Sequence, residues 1–164
     1  MMRVNVAASL LAAAALLPAW SFGQQVVFVV RHAERLDNTA DPGLSAAGEA
    51  RAQKLAAMLS ASALRAIYTT QYQRTLLTGA AVGKQFGLAP TVVPAKEMDA
   101  LIAKIRSHGK DEAILVVGHS NTVPAILKGL GYPVEVKIAE EEHDNLFTVV
   151  TQATGPPVVT RLKY

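Results

Sequence analysis

The chain of 164 residues contains no cysteine. That absence excludes disulfides, thiolate metal sites and a cysteine nucleophile together. It also excludes the lipid anchor of a bacterial lipoprotein, which requires a cysteine at the cleavage point. A domain of this length can hold together on its apolar core alone, so export remains compatible with the lack of disulfides. There is no run of lysine or arginine either. The formal net charge is only +3, and the sequence pI is ≈ 9.3. This mild basicity suits a small anionic substrate and argues against a nucleic-acid partner. Repeats, linkers and low-complexity tracts are absent beyond the first residues.

The one long apolar stretch is Val4 to Leu17, preceded by Arg3 and followed by small residues at Ala19, Ser21 and Gly23. It is too short and wrongly flanked to span a bilayer. The expectation is a secretory signal peptide over residues 1–23 and a single domain over 24–164. Such a chain would be periplasmic or secreted, with no membrane anchor after cleavage.

Past that segment, short valine-rich runs alternate with alanine- and leucine-rich stretches. Strands are expected at Val26–Val30, Ala66–Thr69, Thr91–Val93 and Ala113–Val117. Helices are expected from Ser45 as N-cap to Leu59, from Arg74 to Phe86 with Gly87 as C-terminal cap, from Met98 to Ser107, and from Asn121 to Leu130. Two further strands, Leu146–Thr151 and Val158–Leu162, flank a Gly-Pro-Pro turn. Alternation at this spacing predicts a three-layer α/β/α sandwich, its sheet mostly parallel with an antiparallel edge.

Two of the predicted strands end in a histidine. His32 follows the Val26–Val30 run with Arg31 directly before it, and His119 follows the Ile114–Val117 run after Gly118. Runs this apolar read as strands buried on both faces. Ligands of open α/β sheets bind beyond the carboxyl ends of such strands. A neutral imidazole there can act as a nucleophile toward phosphorus, provided a partner holds its reactive nitrogen unprotonated. Guanidinium forks match the oxygens of a phosphoryl group in transfer, which singles out Arg31 and Arg74. His119, as an imidazolium beside a helix start, would add positive charge.

Four segments in order then resemble the histidine phosphatase superfamily, the phosphoglycerate mutase-like clan. They are Val-Arg-His-Ala-Glu (Val30 to Glu34), Asp-Pro-Gly-Leu-Ser-Ala-Ala-Gly-Glu-Ala-Arg-Ala (Asp41 to Ala52), Tyr-Thr-Thr-Gln-Tyr-Gln-Arg-Thr (Tyr68 to Thr75) and Val-Gly-His-Ser-Asn-Thr (Val117 to Thr122). The chain is most similar to the short branch that includes phosphohistidine phosphatases. The resemblance implies a phosphatase in which His32 becomes phosphohistidine while Arg31, Arg74 and His119 bind phosphate. It implies no metal and no organic cofactor.

Two departures stand out. Only residues 85–97 occupy the place of the cap insertion that carries the proton donor in larger members, so no cap domain is expected. The donor is then Glu34, Glu97 or Asp144. The second departure is Thr70-Gln71, where relatives often have serine and proline. Substrate contacts are also expected from Asn38 and from Ser120 or Asn121, with pocket walls from residues 36–44 and 138–145. A serine nucleophile at Ser120 fails on the missing last glycine of G-x-S-x-G. Zinc at His32, His119, His143 and Asp144 fails on spacing. The expected activity is hydrolysis of a small phosphomonoester or a phosphorylated protein. The rival is a non-catalytic relative that binds phosphate or a phosphorylated ligand in the cell envelope.

Overall fold

The computed structural model describes residues 23–164, so the expected signal segment lies outside the described residues except for Gly23. The elements run β1 (Val26–Arg31), α1 (Ala46–Met58), β2 (Leu64–Thr69), α2 (Gln73–Phe86), β3 (Thr91–Val92), α3 (Met98–Ser107), β4 (Ala113–Gly118), α4 (Thr122–Gly129), β5 (Asn145–Val150) and β6 (Val158–Lys163). One six-stranded sheet has the order β3-β2-β4-β1-β5-β6. Strands β1 to β4 are mutually parallel, and β5 and β6 form the antiparallel edge. The fold is the expected α/β sandwich, with no cap domain among the described residues.

The valine run of β1 explains the layering. Alternate residues of a strand point to opposite faces. Val27 and Val29 join Ile114, Val116 and Phe147 beneath α3 and α4, against Leu101, Ile105, Val123 and Ile126. Val30 points the other way and joins Leu115 and Val117 beneath α1 and α2, against Leu55, Ala56 and Val82. Burying each such side chain contributes about 1.5–3 kcal/mol. A polar substitution on either face of β1 would therefore break one of two cores.

This layering also makes the site. The chain leaves β1 and β2 toward one face and leaves β4, which lies between them, toward the other. Adjacent strands whose helices diverge leave a crevice at their carboxyl ends, the usual ligand position in such sheets.

Local signals set the helix starts and stops. Ser45 caps α1 through its Oγ, which accepts from the Gly48 N–H at 3.1 Å. A Cβ at Gly48 would overlap the Glu34 carbonyl oxygen, so α1 packs directly on the loop that follows His32. Gly87 ends α2 at φ 66°, a left-handed conformation that favours glycine. Strand β2 starts two residues earlier than expected, at Leu64, through a register shift before Ala66.

Candidate active site

His32 and His119 each follow the last residue of a neighbouring strand, since Arg31 is paired with Gly118. The His32 N–H donates to the Gly118 carbonyl at 2.9 Å, extending the ladder by one bond. Strand spacing then sets the separation of the two rings, whose centroids lie 5.2 Å apart. They share an open cleft of about 580 Å³ with Arg31, Arg35, Tyr72, Arg74, Lys96, Ser120 and Glu140 among its lining residues.

The imidazole of His32 is buried and tethered. Its Nδ1 lies 2.8 Å from the Ala33 carbonyl oxygen. A carbonyl only accepts, so Nδ1 carries the proton and Nε2 keeps its lone pair. Burial, reinforced by the charges of His119, Arg31 and His143, pushes the ring's pKa down to about 3. The ring is therefore neutral and nucleophilic at physiological pH.

His119 is held by hydroxyls. Its Nε2 lies 3.0 Å from Thr70 Oγ1. Thr70 Oγ1 lies 2.8 Å from Thr75 Oγ1, whose own hydroxyl reaches the Tyr72 carbonyl at 2.8 Å. The carbonyl end orders the chain. Thr75 donates to Tyr72, Thr70 donates to Thr75, and the Nε2–H of His119 donates to Thr70. Burial, with Arg74 and Arg31 nearby, lowers the His119 pKa to about 4. The sequence reading of an imidazolium is thereby corrected: before an anion arrives, this ring is neutral, and its Nδ1 is the basic atom.

The guanidinium groups are placed differently. Arg31 is buried at the end of β1, where its Nη1 donates to the carbonyls of Ala139 at 2.8 Å and Glu140 at 2.6 Å. Arg74, the second residue of α2, sits with its Cζ 4.4 Å from the centroid of the Tyr72 ring. Its nearest carboxylate, Asp41, is 3.8 Å away, a loose pairing that leaves donors free for an anion. Among the described residues, four cations line the cleft against a single carboxylate, Glu140. Such a surface concentrates anions.

The structure brings together Arg31, His32, Arg74 and His119, with Ser120 and Asn121 beside them. It does not bring in the remaining expected residues. Glu34 turns away to pair with Arg51, its Oε1 accepting from Arg51 Nε at 2.7 Å. Asp144 accepts from Lys163 Nζ at 2.7 Å on the β6 edge. Both carboxyls are held below their ordinary range, chiefly by those hydrogen bonds acting against desolvation, which suits structural ion pairs. Glu97 lines a small apolar cavity next to the cleft. Asn38 is exposed, in a bend outside the cleft. The pocket walls expected from residues 36–44 are likewise misplaced. Leu36 N–H donates to the Gly43 carbonyl at 3.0 Å, which folds this loop onto itself as a hairpin. From 138–145 only Glu140 reaches the cleft.

Sequence reasoning missed Arg35, Tyr72, Lys96 and Glu140. Tyr72, an aromatic two residues before Arg74, offered a stacking signal. Glu140 opens the run Glu140-Glu141-Glu142, which reads as a solvated acidic surface. His143 also proves local to the site. Its Nδ1–H donates to the His32 carbonyl at 2.8 Å, and its ring lies 5.4 Å from that of His32.

A mostly parallel sheet with two imidazoles and two guanidiniums at its central crevice gives this α/β chain a cationic, histidine-bearing cleft. The family described as histidine phosphatase superfamily (branch 1) matches residues 27–99. That match spans less than half of the chain, and over those residues the chain resembles the superfamily. Among solved structures, the protein histidine phosphatase SixA complexed with tungstate is similar at TM-score 0.69 and 18% identity, over 84% of this chain and 96% of that one. The mycobacterial glucosyl-3-phosphoglycerate phosphatase is similar at TM-score 0.66 and 12% identity, over 85% and 97%. Mycobacterial hydrolase 1 is similar at TM-score 0.64 and 13% identity, over 84% and 96%. At these identities the likeness is one of fold. No curated protein sequence matches the chain.

Proposed function

We propose that the chain is a metal-independent phosphatase that hydrolyses phosphomonoesters, or a phosphorylated protein, through a phosphohistidine on His32. The observation that carries this reading is the Nδ1–H of His32 donating to the Ala33 carbonyl, which leaves Nε2 free at an anion-binding cleft. Arg31 and Arg74 neutralise the phosphoryl oxygens, and His119 shares a proton with one of them. His32 Nε2 attacks phosphorus, the ester oxygen leaves, and water later releases phosphate from the ring. Tungstate in the SixA structure is a tetrahedral oxyanion of the kind this cleft would bind.

The basic leader-like stretch before Gly23 supports export to the periplasm or medium, with a soluble phosphorylated substrate met there. Separating cell fractions that carry the tagged full-length chain tests the location. Activity is tested with a broad panel of phosphate esters between pH 5 and 8, with and without chelator. Turnover that survives chelation and disappears in His32→Ala is the expected result. Full turnover by His32→Ala would exclude the mechanism. Binding of phosphate or vanadate without turnover of any ester would instead support a phospholigand-binding role.

A further inference from the structure

With Glu34 and Asp144 engaged elsewhere, the leaving oxygen needs another source of its proton. Glu140 is the single carboxylate among the described residues lining the cleft. It comes from the loop before β5, and it faces the strand-end residues across the opening. Its Oε2 accepts from Arg31 Nη2 at 3.0 Å, and its Oε1 accepts from Ser120 Oγ at 2.7 Å. Ser120 is the residue after His119, so these two bonds span the carboxyl ends of β1 and β4. The side chain itself is largely solvent-exposed, at 69%. It is free to swing once those bonds are lost.

The backbone beneath it is fixed. The Arg31 guanidinium grips the carbonyls of Ala139 and Glu140. The Glu142 carboxylate accepts from the Ala139 N–H at 2.9 Å and from Arg161 and Lys163 on β6, each at 3.0 Å. An exposed carboxylate on a pinned loop, resting on the guanidinium that would bind phosphate, is suited to respond to the substrate.

We propose that Glu140 is the proton donor to the leaving oxygen, and that the incoming phosphoryl group arms it by displacing it from Arg31. The proposal rests on the phosphatase reading above. In the empty cleft the carboxylate is ionised and neutralises Arg31. A phosphoryl dianion takes over that guanidinium and sets negative charge beside the displaced carboxylate, which then takes up a proton from water. Arg35 lines the same cleft.

The reaction runs in two steps. In the first, the His32 Nε2 lone pair forms the N–P bond as the P–O ester bond breaks. The departing oxygen keeps the bonding pair and takes the Glu140 proton, leaving as an alcohol. In the second, a water oxygen attacks phosphorus as the N–P bond breaks and its pair returns to Nε2. The water proton passes to the Glu140 carboxylate, and inorganic phosphate is released.

Glu140→Gln tests this, because the side chain is exposed and the amide keeps its size. An alkyl phosphate has a basic leaving group that needs the proton, whereas p-nitrophenyl phosphate has one that does not. Glu140→Gln should lower kcat/KM, which reports formation of the phosphoenzyme, on an alkyl phosphate by about 10²-fold or more and leave kcat/KM on p-nitrophenyl phosphate within about threefold of the unsubstituted chain. Calorimetry with inorganic phosphate should show equal or tighter binding, since a competing negative charge has gone. Equal losses on both esters, or no loss on either, would overturn the role of Glu140 while leaving the phosphatase reading intact. An unsubstituted chain that turns over neither ester would overturn both.

Discussion

Thr70→Val isolates the hydroxyl chain that orients His119. Valine replaces the hydroxyl with a methyl of similar size, so the buried site keeps its volume. Two hydrogen bonds are lost, one to Thr75 at 2.8 Å and one to His119 at 3.0 Å. A net hydrogen bond is worth about 0.5–1.5 kcal/mol, and a buried donor left unpaired costs about 1–3 kcal/mol. The donor in question is the His119 Nε2–H. The expected destabilisation is therefore about 2 kcal/mol, and roughly 5–10 °C in Tm for a domain of this size. Freed from its tether, the ring also loses its orientation toward an anion, so affinity for inorganic phosphate should fall roughly tenfold, equivalent to about 1.4 kcal/mol. Urea unfolding and calorimetric titration measure the two effects. Thr70→Ser keeps the hydroxyl and should restore most of both. Unchanged stability in Thr70→Val, or equal damage from Thr70→Ser, would show that the hydroxyl chain does not order His119.

Other consequences are independent of that chain. His32 and His119 have folded-state pKa values lowered to about 3 and about 4. Below their ordinary value the unfolded chain takes up protons that the folded chain refuses, so their stabilisation is complete above about pH 7 and is lost as pH falls from about 6.5 toward those values. Unfolding titrations between pH 7 and 5 should show stability dropping by roughly 1–3 kcal/mol per pH unit; a flat profile would mean these rings are not buried in neutral form. Gly48→Ala should cost about 1–3 kcal/mol by overpacking, because its Cβ would meet the Glu34 carbonyl oxygen. The displaced backbone lies two residues from His32, so kcat should fall as well, and thermal melts with ester kinetics read both. A fully active, equally stable Gly48→Ala chain would show that α1 does not brace the loop after His32.

Much of this was readable from sequence for identifiable reasons. Valine runs ending in Arg31-His32 and Gly118-His119 specify buried parallel strands, and strand ends specify where their next residues emerge. Ser45 and Gly87 marked a helix start and a helix stop through local chemistry that needs no partner, and both held. Side chains that depend on distant partners were not legible. Glu34 sits next to the site in sequence, yet Arg51, one helix later, draws it away. Lys163, near the end of the chain, does the same to Asp144. Glu140 is separated from Arg31 by more than a hundred residues, and nothing in an acidic run says which carboxylate returns to the cleft. The residue 36–44 loop failed for another reason: its own backbone hydrogen bonds close it into a hairpin, which length alone does not reveal.

The central claim is that the lone pair on His32 Nε2 is the atom that accepts phosphorus. Its most direct test is to mix the chain with labelled phosphate ester, quench rapidly, and locate the label. The account predicts an acid-labile, base-stable phosphoramidate on His32, formed and discharged at rates that match turnover. Hydrolysis that proceeds with no labelled protein at any quench time, or with the label on another residue, would contradict it.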